Sequence, residues 1–159
     1  MKKIILLLTI SITFIGCDLM FDQVQEGAVC GKDLYYGDFP EMDTFEDVAD
    51  YVSCHIQYRK DGITTPVAGP RESLTRGYGD CDEFSIAFMN VAYYTLCVKF
   101  EFVSLFIDSD YTGNRSIGTG GMVNHALVRL NGVVYSAYNG MVCPELEAAY
   151  YYSFDEVFK

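Results

Sequence analysis

The chain reads as an α+β domain, with helices in its first half and a small antiparallel β-sheet in its second. Three stretches predict this. Behind Gly77-Tyr78-Gly79-Asp80-Cys81, the residues Phe84, Phe88, Val91 and Thr95 fall at steps of three and four and share one helix face. Lys99 to Asp108 carries Phe100, Phe102, Val103, Leu105, Phe106 and Ile107 and reads as a strand. His125–Leu130 and Val133–Tyr138 are two more β-like runs joined at Asn131-Gly132, a strong hairpin signal. Half of the 159 residues are apolar, enough for a core in a chain of one-domain size.

From the N-terminus, Lys2 and Lys3 precede an apolar run from Ile4 to Ile15. At about a dozen residues it is too short for a membrane span of roughly 20, and it has the form of an export leader. It ends Phe14-Ile15-Gly16-Cys17, which resembles the bacterial lipoprotein signal. That resemblance implies a signal peptide over 1–16, a lipid on Cys17, and a lipid-anchored protein of the bacterial cell envelope, exposed outside the cytoplasm. An ordinary secretory leader, giving a soluble exported protein, is the alternative. The expected organisation is then a lipid-anchored tether over 17–42 and one domain over 43–159, read as a monomer. Loss of Lys2 and Lys3 with the leader takes the net charge from −11 to −13. A chain this acidic is unsuited to holding nucleic acid or an anionic lipid surface by charge.

Thr44 to Lys60 is expected to be helical. Asp43 with Glu46 makes a capping-box pattern, and Phe45, Val48, Ala49, Val52 and Ile56 form the apolar stripe. His55 lies off that stripe and reads as an exposed or hydrogen-bonded helix histidine, with a catalytic base as the alternative. Residues 61–79 form a loop rich in Gly, Pro and Thr, with a turn of helix at Pro70 to Leu74. A loop of this length either lines a binding site or is a surface flap. The next helix starts at Cys81. Asp80 is a good N-cap, and Asp82 and Glu83 suit the positive end of the helix dipole. A thiol at that position meets unpaired N–H groups that favour a thiolate, although its two acidic neighbours oppose the effect. The competing reading of Cys81 is a small buried residue or half of a disulfide.

With Cys17 lipidated, Cys30, Cys54, Cys81, Cys97 and Cys143 remain. An odd number in an exported chain points to a free thiol or an intermolecular bond. Whether Cys30, Cys54, Cys97 and Cys143 pair, and how, stays open. Their spacing matches no zinc pattern, so neither a metal nor another cofactor is expected. Hairpin register decides what lies beside His125. A two-residue loop sets His125 opposite Tyr138, with Asn139 on the other side. A three-residue loop ending in a Gly132 bulge brings Asn139 diagonally onto the His125 side, within hydrogen-bonding reach. The aromatic C-terminal run Ala148–Tyr152, with Phe154 and Phe158, is read as an element packed on the core, or else as a partner surface.

Gly79-Asp80-Cys81-Asp82 at a helix start, followed by Asn124-His125-Ala126-Leu127-Val128 and Tyr135-Ser136-Ala137-Tyr138-Asn139, resembles the transglutaminase-like cysteine enzymes of papain-like fold. Ile56-Gln57-Tyr58 and Pro70–Leu74 fit the bacterial branch, and the resemblance covers roughly 44–140. Two departures stand out: Asn139 replaces the more usual aspartate, and Tyr135 the usual tryptophan. The resemblance implies a triad of Cys81 as nucleophile, His125 as base and Asn139 as orienting group. It implies acyl transfer through a thioester on protein or peptide amides, by a peptidase, amidase or transamidase. The Cys81 N–H would be one oxyanion donor. Gln57 is a candidate second donor, set against an exposed helix glutamine. A catalytically silent binding or scaffold lipoprotein on the same fold is the rival reading.

Overall fold

The computed structural model describes residues 29–60, 66–108, 122–143 and 150–159, with only the backbone of 105–108 and 122–124. The leader with Cys17, and most of the glycine-rich stretch before Asn124, lie outside them. Elements run in the order α1 (Phe45–His55), β1 (Gln57–Tyr58), α2 (Pro70–Arg76), β2 (Tyr78–Gly79), α3 (Cys81–Leu96), β3 (Glu101–Asp108), β4 (Met122–Leu130), β5 (Val133–Tyr135), β6 (Tyr150–Tyr152) and α4 (Phe154–Val157). The fold is α+β: helices α1–α3 against a four-stranded antiparallel sheet of order β5-β4-β3-β6.

α1 starts one residue later than its sequence pattern suggests. Thr44, not Asp43, is the N-cap, and its capping box closes with Asp47 rather than Glu46. The helix also stops early, at His55. Ile56 turns extended, and the Gln57 and Arg59 N–H groups donate to the Gly77 and Gly79 carbonyls, so the expected last turn becomes a parallel strand beside β2. Gln57 is therefore a strand residue. α2 runs two residues beyond the expected turn and ends at Gly77, whose φ of 74° is the left-handed cap that glycine accepts without strain.

α3 is the centre of the molecule. One apolar face was expected, yet every residue from Glu83 to Ala92 is buried. Neighbours on all sides account for this: Val48, Ala49 and Val52 of α1, and Phe100, Phe102, Ala126 and Val128 on the sheet, join Phe84, Phe88 and Val91 in one core. The remaining side comes from residues expected to be tether. Val29 and Met42 are buried in that core. Asn90 of α3 exchanges two hydrogen bonds with the Tyr35 backbone, each 2.9 Å. The segment 29–42 thus packs as part of the domain.

Strand alternation sorts the sheet. Phe102, Ala126 and Val128 face the helices, while Val103 and Leu127 form a second small cluster with Val134 and Cys143 behind the sheet. The β4–β5 connection is the two-residue loop, pairing Leu130 with Val133, and Asn131 (φ 51°) and Gly132 (φ 83°) occupy the left-handed region that this turn requires. β5 stops at Tyr135, where the chain turns away. β6 pairs Phe102 with Tyr152 at the other sheet edge, so the C-terminal aromatics do pack on the domain.

Candidate functional site

The capping box on α3 places Cys81. Asp80 accepts the Asp82 N–H at 3.1 Å, while the Glu83 carboxylate accepts the Asp80 N–H at 2.9 Å. These bonds satisfy first-turn donors that a helix leaves unpaired, and Cys81 becomes the first helical residue. Its thiol is half-buried and lies 3.9 Å from the Asp82 carboxylate.

The sulfur also faces the backbone N–H of Ala126 on β4. Register explains why that group is available. Just past β5, Ser136 N–H donates to the Met141 carbonyl, and Val134 within it accepts the Cys143 N–H. Backbone groups of neighbouring residues alternate sides, so Tyr135 points its own toward β4, and Val128 opposite it points back. Ala126, two residues along, points its N–H to the same side as Val128. β5 has already ended there, and Cys81 occupies the open edge. The Ala126 nitrogen is two bonds from the His125 Cα, about 2.4 Å, so the sulfur meets the sheet one residue from His125.

His125 is half-buried and paired across the ladder with Leu105. Alternation puts it on the Leu127 side of β4, opposite Ala126. Burial pushes the imidazole pKa below its ordinary 6.5. Burial pushes the Cys81 thiol the other way, well above its ordinary 9.0, reinforced by Asp82 and Asp80 and opposed by the N–H groups of Ala126 and Cys81. At neutral pH both groups are uncharged. The dipole effect expected to favour a thiolate is outweighed by desolvation and by two adjacent carboxylates.

These opposite shifts make a stability prediction. The thiol's contribution is complete below pH 9.0 and is lost as pH rises, because the unfolded chain releases that proton first. The imidazole's is complete above pH 6.5 and is lost as pH falls, because the unfolded chain takes up a proton first. Urea unfolding from pH 5 to 10 is expected to show a plateau between those values. Beyond the alkaline edge, the stability of wild type relative to Cys81→Ala should fall by about 1.4 kcal/mol per pH unit.

The other expected residues are placed as follows. Asn139 is exposed, and its Oδ1 accepts the Met141 N–H at 3.1 Å, closing a local turn. The three-residue loop that would carry it to the His125 side is not the one formed. Gln57 is exposed on β1, paired with Tyr78 in the segment that leads directly into Cys81. His55 stacks on Tyr51, with ring centroids 4.1 Å apart, and its Nδ1 lies 2.7 Å from the Tyr51 carbonyl oxygen, as befits a helix-end histidine. Cys54, Cys81, Cys97 and Cys143 are free thiols. Asp80, Cys81 and Asp82 offer ligand atoms within 4.8 Å of one another, a closeness that follows from three consecutive residues at one helix start.

Glu83 is the residue whose importance sequence reasoning missed. It is 1% exposed and accepts the Ala68 N–H at 3.0 Å as well as the Asp80 N–H. Arg76 lies 3.1 Å away. Burial alone would raise its pKa, but these two N–H donors and the guanidinium hold it below the usual carboxylate value. The Asp80-x-x-Glu83 spacing was the available signal, since a capping box reaches back with its fourth residue.

Exposed aromatics surround the first turn of α3. The Phe84 ring lies 6.3 Å from Tyr58 and 5.7 Å from Tyr138, and both tyrosines are more than half exposed. Comparison with protein-family models finds no match, and comparison with curated proteins finds no significant relative. Among the described residues, no helix is long and apolar enough to cross a membrane.

Proposed function

We propose that the protein is an exported cysteine acyl-transfer enzyme of transglutaminase-like, papain-like fold, with Cys81 as nucleophile and His125 as base. One observation carries the reading: the Cys81 sulfur faces the backbone N–H of Ala126, the residue that follows His125 on β4. A neutral thiol and a neutral imidazole suit a general-base route. Because the imidazole lies on the Leu127 side of β4, this route requires its ring to move to the Cys81 side, where it takes the thiol proton as sulfur attacks an amide carbonyl carbon. The tetrahedral intermediate collapses to a thioester as the imidazolium protonates the departing amine. Water or a second amine then releases the acyl group and restores the thiol.

The Cys81 N–H, free of a side-chain cap, is one donor for the oxyanion, and Gln57 on the neighbouring strand is the second. The Cys–His–Asn chain order would give Asn139 the orienting role, but its Oδ1 accepts the Met141 N–H and no orienting bond is assigned to it. With its Oδ1 committed to Met141, Asn139→Ala is expected to cost less than tenfold, an upper bound of about 1.4 kcal/mol. The exposed Tyr58 and Tyr138 fit a protein or peptide substrate better than a small polar one. The leader-like run ending at Gly16-Cys17 supports a site on the outer side of a bacterial membrane, held by lipid.

The test is acylation of the mature protein with a peptide-derived active ester. A single thioester adduct mapped to Cys81, absent in Cys81→Ala, is the expected result. Acylation spread over Cys54 and Cys97, with Cys81 unmodified, would overturn the enzyme and leave a silent binding lipoprotein.

A further inference from the structure

We infer that Glu83 is a positioning residue whose single buried carboxylate ties the segment at Ala68 and the Arg76 end of α2 to the start of α3, and so sets the pose of Cys81. It deepens the nucleophile reading above and rests on that reading for its chemical meaning. The geometry concentrates on two oxygens. Oε1 accepts the Ala68 N–H and faces Arg76, while Oε2 accepts the Asp80 N–H one residue before the cysteine. Arg76 in turn donates from Nε to the Tyr78 carbonyl at 2.8 Å, adding β2 to the assembly. Three separate stretches leading to Cys81 are therefore held by one side chain.

Packing is close around this side chain. A Cβ built on Gly79 would lie 2.6 Å from the Glu83 Cβ, so glycine is required where β2 crosses the carboxylate stem. An exposed capping-box glutamate supports only its own helix end. This one is buried, ion-paired and bonded to a residue fifteen positions upstream, so fraying at Ala68 and fraying at Cys81 become one event.

Chemistry selects the test. A carboxylate accepts on both oxygens, whereas a glutamine carboxamide turns an NH2 toward one of the two N–H donors. Glu83→Gln therefore keeps size while breaking one tie and the ion pair. The readout is the pH profile of alkylation by iodoacetamide, followed cysteine by cysteine. The first turn of α3 loosens in Glu83→Gln and Cys81 gains water. Its alkylation midpoint is expected to fall by about one pH unit, making alkylation below the midpoint roughly tenfold faster. Ala68 amide exchange should accelerate with it, while Cys143, half-buried behind the sheet, keeps its wild-type profile. Glu72→Gln, which touches the same arginine from the exposed side, leaves Cys81 unchanged. If Glu83→Gln does not fold, Arg76→Gln is expected to shift Cys81 in the same direction by a smaller amount.

An unchanged Cys81 profile in the folded variant would overturn the inference, as would parallel changes at Cys81 and Cys143, which mark general loosening. Alkylation requires no catalysis. A wild type that fails to acylate would sink the nucleophile reading and leave this result interpretable.

Discussion

His125→Ala should slow acylation of Cys81 by about 10²–10⁴-fold, the span that a positioned general base contributes. The expectation comes from the two shifts in the site. A thiol whose pKa burial has raised is almost fully protonated at neutral pH, so attack depends on a partner that removes the proton during bond formation. An imidazole whose pKa burial has lowered is neutral at the same pH and ready to accept it. In the wild type, acylation should rise as pH climbs through the depressed imidazole value, below 6.5, and level off before neutrality. In His125→Ala the acid limb should vanish. The rate should instead climb through the alkaline range as the thiol ionises unaided. Stopped-flow acylation from pH 4.5 to 10 measures both limbs. Equal rates in wild type and variant at pH 7 would remove His125 from the mechanism.

The α+β class and the place of Cys81 at a helix start were legible for local reasons. Helix starts are written locally: Asp80 before an apolar run, or Pro70 before a short helix closed by Gly77, needs only near neighbours to be read. The Asn131-Gly132 turn is equally local, because two consecutive left-handed residues are costly for almost any other pair. Where two local signals competed, tertiary contacts decided. Asp43 and Thr44 are both acceptable caps, and the end of α1 at His55 was set by β2, far along the chain, which captures Gln57 and Arg59. The pairing of Cys81 with the Ala126 N–H could not be read at all. It exists because β5 is too short to cover that group, and the length of β5 depends on the chain turning at Ala137, buried beneath the sheet. Asn139 shows the opposite failure. Its place in the chain order suggested a role at His125, but Asn-Gly is also a turn signal, and the side chain serves the turn.

Phe100→Ala should lower unfolding stability by about 3–5 kcal/mol, at the upper end for truncation of a buried aromatic. Phe100 is fully buried and touches three rings from three elements. Its centroid lies 5.0 Å from Phe45 of α1, 5.2 Å from Phe88 of α3 and 5.9 Å from Tyr135 of β5, all near edge-to-face. Phe45 and Tyr135 also touch each other at 5.3 Å. Edge-to-face pairs add about 0.5–1.5 kcal/mol beyond burial, and one truncation removes three of them. Three rings held by two helices and a hairpin border the resulting void, which limits its collapse and keeps the cavity penalty high. Tyr135, which stands where the resemblance expects tryptophan, is the ring joining the hairpin to this group. The functional consequence follows from position. Tyr135 is the last residue of β5, and β5 ending there opens the edge on which Cys81 sits. Against a total of about 5–15 kcal/mol for a domain of this size, the loss should leave a visibly destabilised protein. Urea unfolding checks the magnitude, and Phe100→Leu, which fills most of the space, should recover more than half of it. A cost below about 1 kcal/mol for Phe100→Ala would mean that the aromatic group does not hold the hairpin against the helices.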